Sequence, residues 1–233
     1  MRISTSDRAF RVTVGFCLAA LFVGATPARA DVINRLPTSE KVVALTFDAC
    51  ETITPTTLDT KIRDTLVSGG IPFTIFVSGR FARHNRAALA ELAKLDFVEF
   101  ENHSLNHDNH MEHLDDAAVR REVVDNDALL ASITGRHTHY FRFPAGNFSP
   151  RTLNTVEGLG YKVVHWTFAS GDPVKSLSPD MLTRWVVSRT TPGSILIFHI
   201  NGRGWSTGAA LPGIIGELQR RGYRFTRLDS LLE

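Results

Sequence analysis

The chain has 233 residues, with 26 Lys and Arg against 24 Asp and Glu and a formal net charge of +2. Its first thirty residues hold four arginines and one aspartate, so the rest carries 22 basic and 23 acidic groups. That balance argues against nucleic acid or an anionic membrane surface as partner, while about 200 residues suffice for one sizeable core.

Arg2, Arg8 and Arg11 precede the apolar run VTVGFCLAALFVGA, and TPARA follows it. This is the pattern of a signal peptide cleaved after Ala30. The 14-residue run is short of the roughly 20 residues that span a bilayer, so no stable membrane association is expected after cleavage. Residues 1–30 therefore read as an export signal, 31–40 as a tether and 41–233 as a single domain, with a periplasmic or secreted destination. Cys17 falls inside the leader. Cys50 is then alone, and an internal disulfide is ruled out.

Apolar, β-branched and aromatic runs follow in order: VVALTF (42–47), IPFTIFV (71–77), DFVEF (96–100), HYFRF (139–143), KVVHWTF (162–168), SILIF (194–198) and YRFTRL (223–228). Several are continuous rather than alternating, as strands buried on both faces are. Helical spacing fills 56–68, 84–95, 115–134, 150–159, 178–190 and 209–221 between them. Ser149-Pro150 marks one helix start, and Gly69-Gly70, Gly135, Gly160 and Gly222 mark stops. Alternation of this kind predicts parallel βα units in an open doubly wound sheet or a barrel.

Set against those strands, the reactive side chains fall at one end. Asp48 follows the first run, His103 the third, Arg142 lies near the end of the fourth, Asp172 follows the fifth and His199 the sixth. In parallel α/β folds that is the end where sites assemble. His103 and His107 stand at i and i+4 in NHSLNH; if the stretch is helical they share a face and suit zinc, cobalt or nickel. A solvated His-rich face, continued by His110 and His113, is the bland reading. Asp48 and His199 form a base and acid pair of the kind a hydrolase needs, though a helix cap and a core histidine are their ordinary roles.

Six segments, in order, resemble the polysaccharide deacetylase family, which shares the NodB homology domain and is carbohydrate esterase family 4. They are ALTFDAC, GIPFTIFVSGRFARHN, ENHSLNH, FRFPAG, GYKVVHWTFASGDP and the stretch that begins GSILIFHINGRGW, together covering about 41–231. The resemblance implies an α/β fold, a distorted (β/α)7 barrel of parallel strands in a single domain. It implies metal-dependent removal of N-acetyl groups from amino sugars of a polysaccharide: peptidoglycan, a chitin-like glycan or an exopolysaccharide. By the same resemblance, Asp48 is the catalytic base and His199 the general acid. Arg142 holds Asp48 ionised, and Asp172 tunes His199. His103 and His107 ligate a divalent metal, zinc before cobalt or nickel. A backbone N–H near Ala145, in the Pro144-Ala145 turn, serves the oxyanion, and Trp166 and Leu196 line the wall beneath the acetyl methyl.

The chain departs from the family pattern where TFDD becomes TFDA. The second carboxylate, the third metal ligand of the family, is Ala49 here. Cys50 is one substitute; Glu51 or Glu101 is another; Asp48 itself is a third, at the expense of its role as base. A two-histidine site with added waters, or no metal, is the remaining possibility. If the strand continues, Cys50 points to the same side as Asp48 and Ala49 to the other. Ala145 and Pro173 also stand where the family commonly has Tyr and Trp, and Ile200 where it often has Asp. Besides deacetylation, the sequence leaves open a glycan-binding barrel that has lost its metal, and an O-acetyl esterase using the same site.

Overall fold

The structure, a computed structural model, describes residues 32–232. The segment read as a signal peptide lies outside the described residues. The chain alternates strand and helix: β1 (Val42–Ala49), α1 (Thr60–Ser68), β2 (Phe73–Val77), α2 (Gly79–His84), α3 (Arg86–Leu92), β3 (Val98–Asn102), α4 (Asp116–Thr134), β4 (Tyr140–Phe141), α5 (Pro150–Glu157), β5 (Lys162–Val163), α6 (Pro179–Arg189), β6 (Ile195–His199), α7 (Thr207–Arg220), β7 (Arg224–Thr226) and α8 (Asp229–Leu232). Caps set several helix starts. Asp59, Asp115 and Ser178 each accept a first-turn N–H, and Ser149 forms a capping box with Thr152 ahead of Pro150.

The strands form one parallel sheet in the order β5-β4-β3-β2-β1-β6, with β7 also on β1. It curls into the distorted (β/α)7 barrel. Beyond β5 the chain diverges, and a Phe168–Leu196 bridge joins it to β6. Here the segment read as a tether takes part in the fold. Ile33 bridges Val164, Arg35 bridges Ser194, and Leu36 is buried with its N–H on Gly193 O. Gly193 has φ 76, and a Cβ there would lie 2.7 Å from Leu36 O, so this seam needs glycine.

Both faces of β1, β2 and β3 are buried, which explains the continuous apolar runs there. On β1, Leu45, Phe47 and Ala49 face the helices in the main core, with Ile62, Leu66, Phe198 and Ile214. Ala44 faces the barrel interior with Phe76, Tyr140 and Ile195. β6 alternates likewise: Leu196 and Phe198 belong to the outer core and Ile195 to the inner. A third cluster packs Phe141, Phe143 and Val163 under α4 and α5. Among the described residues, no helix is long and apolar enough to cross a membrane.

Candidate active site

The register of β1 on β6 pairs Asp48 with His199. Strand alternation then aims both side chains into the mouth of the barrel, where Arg142, Asp172 and the loop after β3 converge. The resulting cleft, about 270 Å³, is lined by Asp48, Cys50, His103, His107, Trp166 and His199 among others.

Asp48 is 4% exposed and takes Arg142 Nη1 on Oδ1 at 2.7 Å. Burial pushes its pKa up, but the charges of Arg142, His103 and His199 outweigh this and hold the carboxyl below its ordinary range. Arg142 is itself fully buried. Its Nε donates to Val164 O and its Nη2 to His165 O, and its guanidinium lies 3.9 Å from the Phe76 ring centroid. That fork fixes the direction of the Asp48 carboxylate as well as its charge.

Across the cleft, His199 Nδ1 lies 3.0 Å from Asp172 Oδ1. A carboxylate accepts, so Nδ1 carries the proton and Nε2 is left toward the cleft. Asp172 is anchored by the His199 backbone N–H at 2.7 Å and by Thr207 Oγ1 at 2.9 Å, both on Oδ2. Gly204 makes room for this cluster, since a Cβ there would lie 2.6 Å from Asp172 Oδ2 and 2.8 Å from His199 O.

The expectation that His103 and His107 share a helical face is corrected. Residues 103–108 form a loop, with Ser104 at φ 64 and His107 at φ 54. Asn102 Oδ1 accepts the Ser104 N–H, and Ser104 Oγ accepts the His107 N–H. This local turn brings the rings to a centroid separation of 4.9 Å. His103 Nδ1 lies 2.8 Å from Arg142 O, so it must donate, and Nε2 is left bare, 3.6 Å from Cys50 Sγ and 3.7 Å from Asp48 Oδ2. His107 is 4% exposed, and neither ring nitrogen has a hydrogen-bond partner. Burial, then the charge of His103, lowers its pKa to about 3. His110 and His113 are exposed instead, and both sit beside Glu112.

Two uncharged imidazoles with a bare nitrogen and a nearby sulfur fit a divalent metal. The ligand atoms of Cys50, His103 and His107 all lie within 4.8 Å of one another, and an orphaned buried imidazole otherwise bears an uncompensated desolvation cost. Two of the proposed substitute ligands are corrected. Glu51 accepts His84 Nδ1 at 2.6 Å and the Thr56 N–H at 3.0 Å. Glu101 takes the N–H groups of His139 and Tyr140. Both carboxylates are occupied away from the two histidines.

The substrate wall also differs in part. Ala145 (φ 55) and Trp166 line the cleft, and Gly146 lies against Trp166, whose Cη2 would be 2.9 Å from an added Cβ. Pro144 is buried in the turn and does not line the cleft. Leu196 points into the outer core, and the wall residue on β6 is Ile197, one position on. Sequence reasoning missed Ile197, although counting back two residues from His199 places it. It also missed Arg203, an exposed lip residue with no strand to mark it.

His165 packs beneath the site, stacked on Trp166 at 5.1 Å with Nε2 buried and unpartnered. Burial, then Arg142, lowers its pKa to about 4. The unfolded chain takes up a proton near the ordinary value of about 6.5 and the native protein does not. Its contribution is therefore complete above that value and is lost as pH falls from about 6.5 toward 4, by up to about 3 kcal/mol. His165→Phe, which keeps the stacking, is expected to remove this part of the acid destabilisation. Denaturant unfolding at pH 7 and pH 5 measures it.

A family model described as polysaccharide deacetylase matches residues 35–164. The chain belongs to the polysaccharide deacetylase family. The chain is 28% identical over 202 residues to a peptidoglycan-N-acetylglucosamine deacetylase of Bacillus cereus, covering 84% of this chain and 91% of the relative. Among solved structures, this deacetylase-family chain is similar to a family 4 acetyl xylan esterase from Clostridium thermocellum in complex with a cobalt ion (26% identity, TM-score 0.72, 82% and 90% coverage). Its fold is also shared by a family 4 pseudoenzyme from Bacillus anthracis (22% identity, TM-score 0.77, 88% and 70% coverage).

Proposed function

We propose that this deacetylase-family protein is an exported, metal-dependent hydrolase that removes N-acetyl groups from amino sugars of a polysaccharide. One observation carries the reading: the carboxylate of Asp48 and the imidazole of His199 stand within 4.8 Å of each other, each held by its own buried partner. Arg142 keeps Asp48 ionised and Asp172 orients His199, so one group is set to take a proton and the other to give one.

In the reaction, Asp48 withdraws a proton from the attacking water. His199 delivers a proton from Nε2 to the departing amine, while Asp172 at Nδ1 stabilises the imidazolium. The Ala145 backbone N–H is the donor for the developing oxyanion. Trp166 and Ile197 give the acetyl methyl an apolar, water-poor wall. A divalent metal, when bound at His103 and His107, supplies Lewis acidity to the carbonyl and lowers the pKa of water; zinc suits imidazole and thiol donors, with cobalt or nickel as alternatives.

Peptidoglycan, chitin-like oligomers and exopolysaccharide are the candidate glycans, the first supported by the Bacillus cereus relative. Export rests on the leader pattern of residues 1–30. The acetyl xylan esterase favours a second reading, ester cleavage by the same machinery, and Ala49 favours a third, a glycan-binding barrel without turnover. Acetate release separates the three. With metal supplied, N-acetylglucosamine oligomers or peptidoglycan are expected to be better substrates than O-acetylated xylan. Release from the ester alone selects the esterase, and release from neither selects the non-catalytic barrel.

A further inference from the structure

By the family resemblance, a third metal ligand is expected directly after Asp48, and in this chain that residue is Ala49. β1 runs through Ala49, which pairs with Val77 and packs in the outer core beside Phe47 and Leu45. A carboxylate at 49 in this backbone would be sent among helix-facing apolar side chains. The next residue completes the alternation and returns to the barrel mouth. Cys50 lines the cleft, 4% exposed, with its carbonyl held by Asn201 Nδ2 and by Thr56 Oγ1 at 3.2 Å.

From this we infer that Cys50 is the third protein ligand of the metal, so that the site is His103, His107 and Cys50 in place of two histidines and a carboxylate. The proposal rests on the metal-dependent reading above, and two further observations support it. His103 is locked by Arg142 O into the tautomer whose bare Nε2 lies 3.6 Å from the sulfur. His107, buried and with both ring nitrogens unpartnered, has its ligand atom within 4.8 Å of the same two groups. A small core residue at a turn would have no need of two such imidazoles against its sulfur.

Coordination forms the bond from metal to sulfur and sends the thiol proton to solvent, with no change of oxidation state. It leaves Asp48 free for proton transfer, because the three-donor set is complete without it. It also moves the site toward softer metals than a carboxylate ligand selects.

Cobalt provides the test. Titration of the metal-free protein with cobalt(II) alone is expected to give a thiolate-to-cobalt charge-transfer absorption in the near ultraviolet, saturating at one equivalent. Cys50→Ser should abolish that band and weaken cobalt binding by at least about 100-fold, since outer-sphere substitutions alone cost 10–100-fold. Cys50→Asp should lack the band yet recover most of the affinity. Thermal unfolding of the metal-free variants checks that both fold. Absence of the band in the native protein, or its persistence in Cys50→Ser, overturns the assignment. Acetate release on the same samples keeps the two readings apart: metal-dependent release without the band refutes only the ligand, and the band without release refutes only the function.

Discussion

Asp48→Asn is expected to lower kcat for acetate release by about 10²–10⁴-fold, the range set by loss of a positioned general base. Asparagine fills the same volume and still accepts from Arg142 Nη1, so the geometry at 2.7 Å is preserved while the basicity is lost. KM for a long glycan should change little, because the remaining contacts to the chain are untouched. Bound metal should also remain, since the proposed ligand set excludes Asp48. The carboxyl is held below its ordinary range in the native state, despite burial, by Arg142, His103 and His199. Its stabilisation is therefore present above the unfolded value of about 3.9 and is lost as pH falls through the depressed one. The variant should flatten the acid end of the stability profile below about pH 4, which steady-state kinetics and unfolding curves on one preparation can establish together.

Arg142→Leu is expected to be the most destabilising single change at the site. It leaves a buried carboxylate without its counter-charge and two carbonyls, Val164 O and His165 O, without their donor. Removing one member of a buried pair costs about 3–5 kcal/mol, which for a domain of this size lowers the melting temperature by roughly 6–20 °C. Activity should fall with it, because Asp48 then holds its proton more tightly. Arg142→Lys keeps the charge but reaches fewer of the three acceptors, and should fall between the two. The decisive member is Asp48→Leu with Arg142→Leu: with both charges gone, much of the stability should return while turnover stays absent. A double variant as unstable as the sum of the singles would show that the pair is not the source.

The placement of the site was readable because parallel βα units deliver side chains to one end, and Asp48, His103, Arg142, Asp172 and His199 each follow or close an apolar run. What the runs concealed was the face each residue occupies. With both sides of the strands apolar, Leu196 and Ile197 look alike in sequence, and only the register of β6 against β1 assigns one to the outer core and the other to the cleft. The histidine pair was found by a spacing whose expected cause was wrong. A turn with two residues at positive φ, pinned by Asn102 and Ser104, does what one turn of helix would have done. The segment 31–40 read as a tether because its contacts with Val164, Ser194 and Gly193 are distant in sequence. KVVHWTF similarly contributes a β5 of two residues, because that strand leaves the sheet to meet β6 at the seam.

The most direct measurement is acetate release from N-acetylglucosamine oligomers as a function of metal returned to the stripped protein. Release should rise in proportion to bound metal and level off at one equivalent per chain, and it should be lost in His103→Ala together with the bound metal. Turnover that persists in the fully stripped protein, or metal that binds in full without releasing acetate from any N-acetylated glycan, would rule out metal-dependent N-deacetylation.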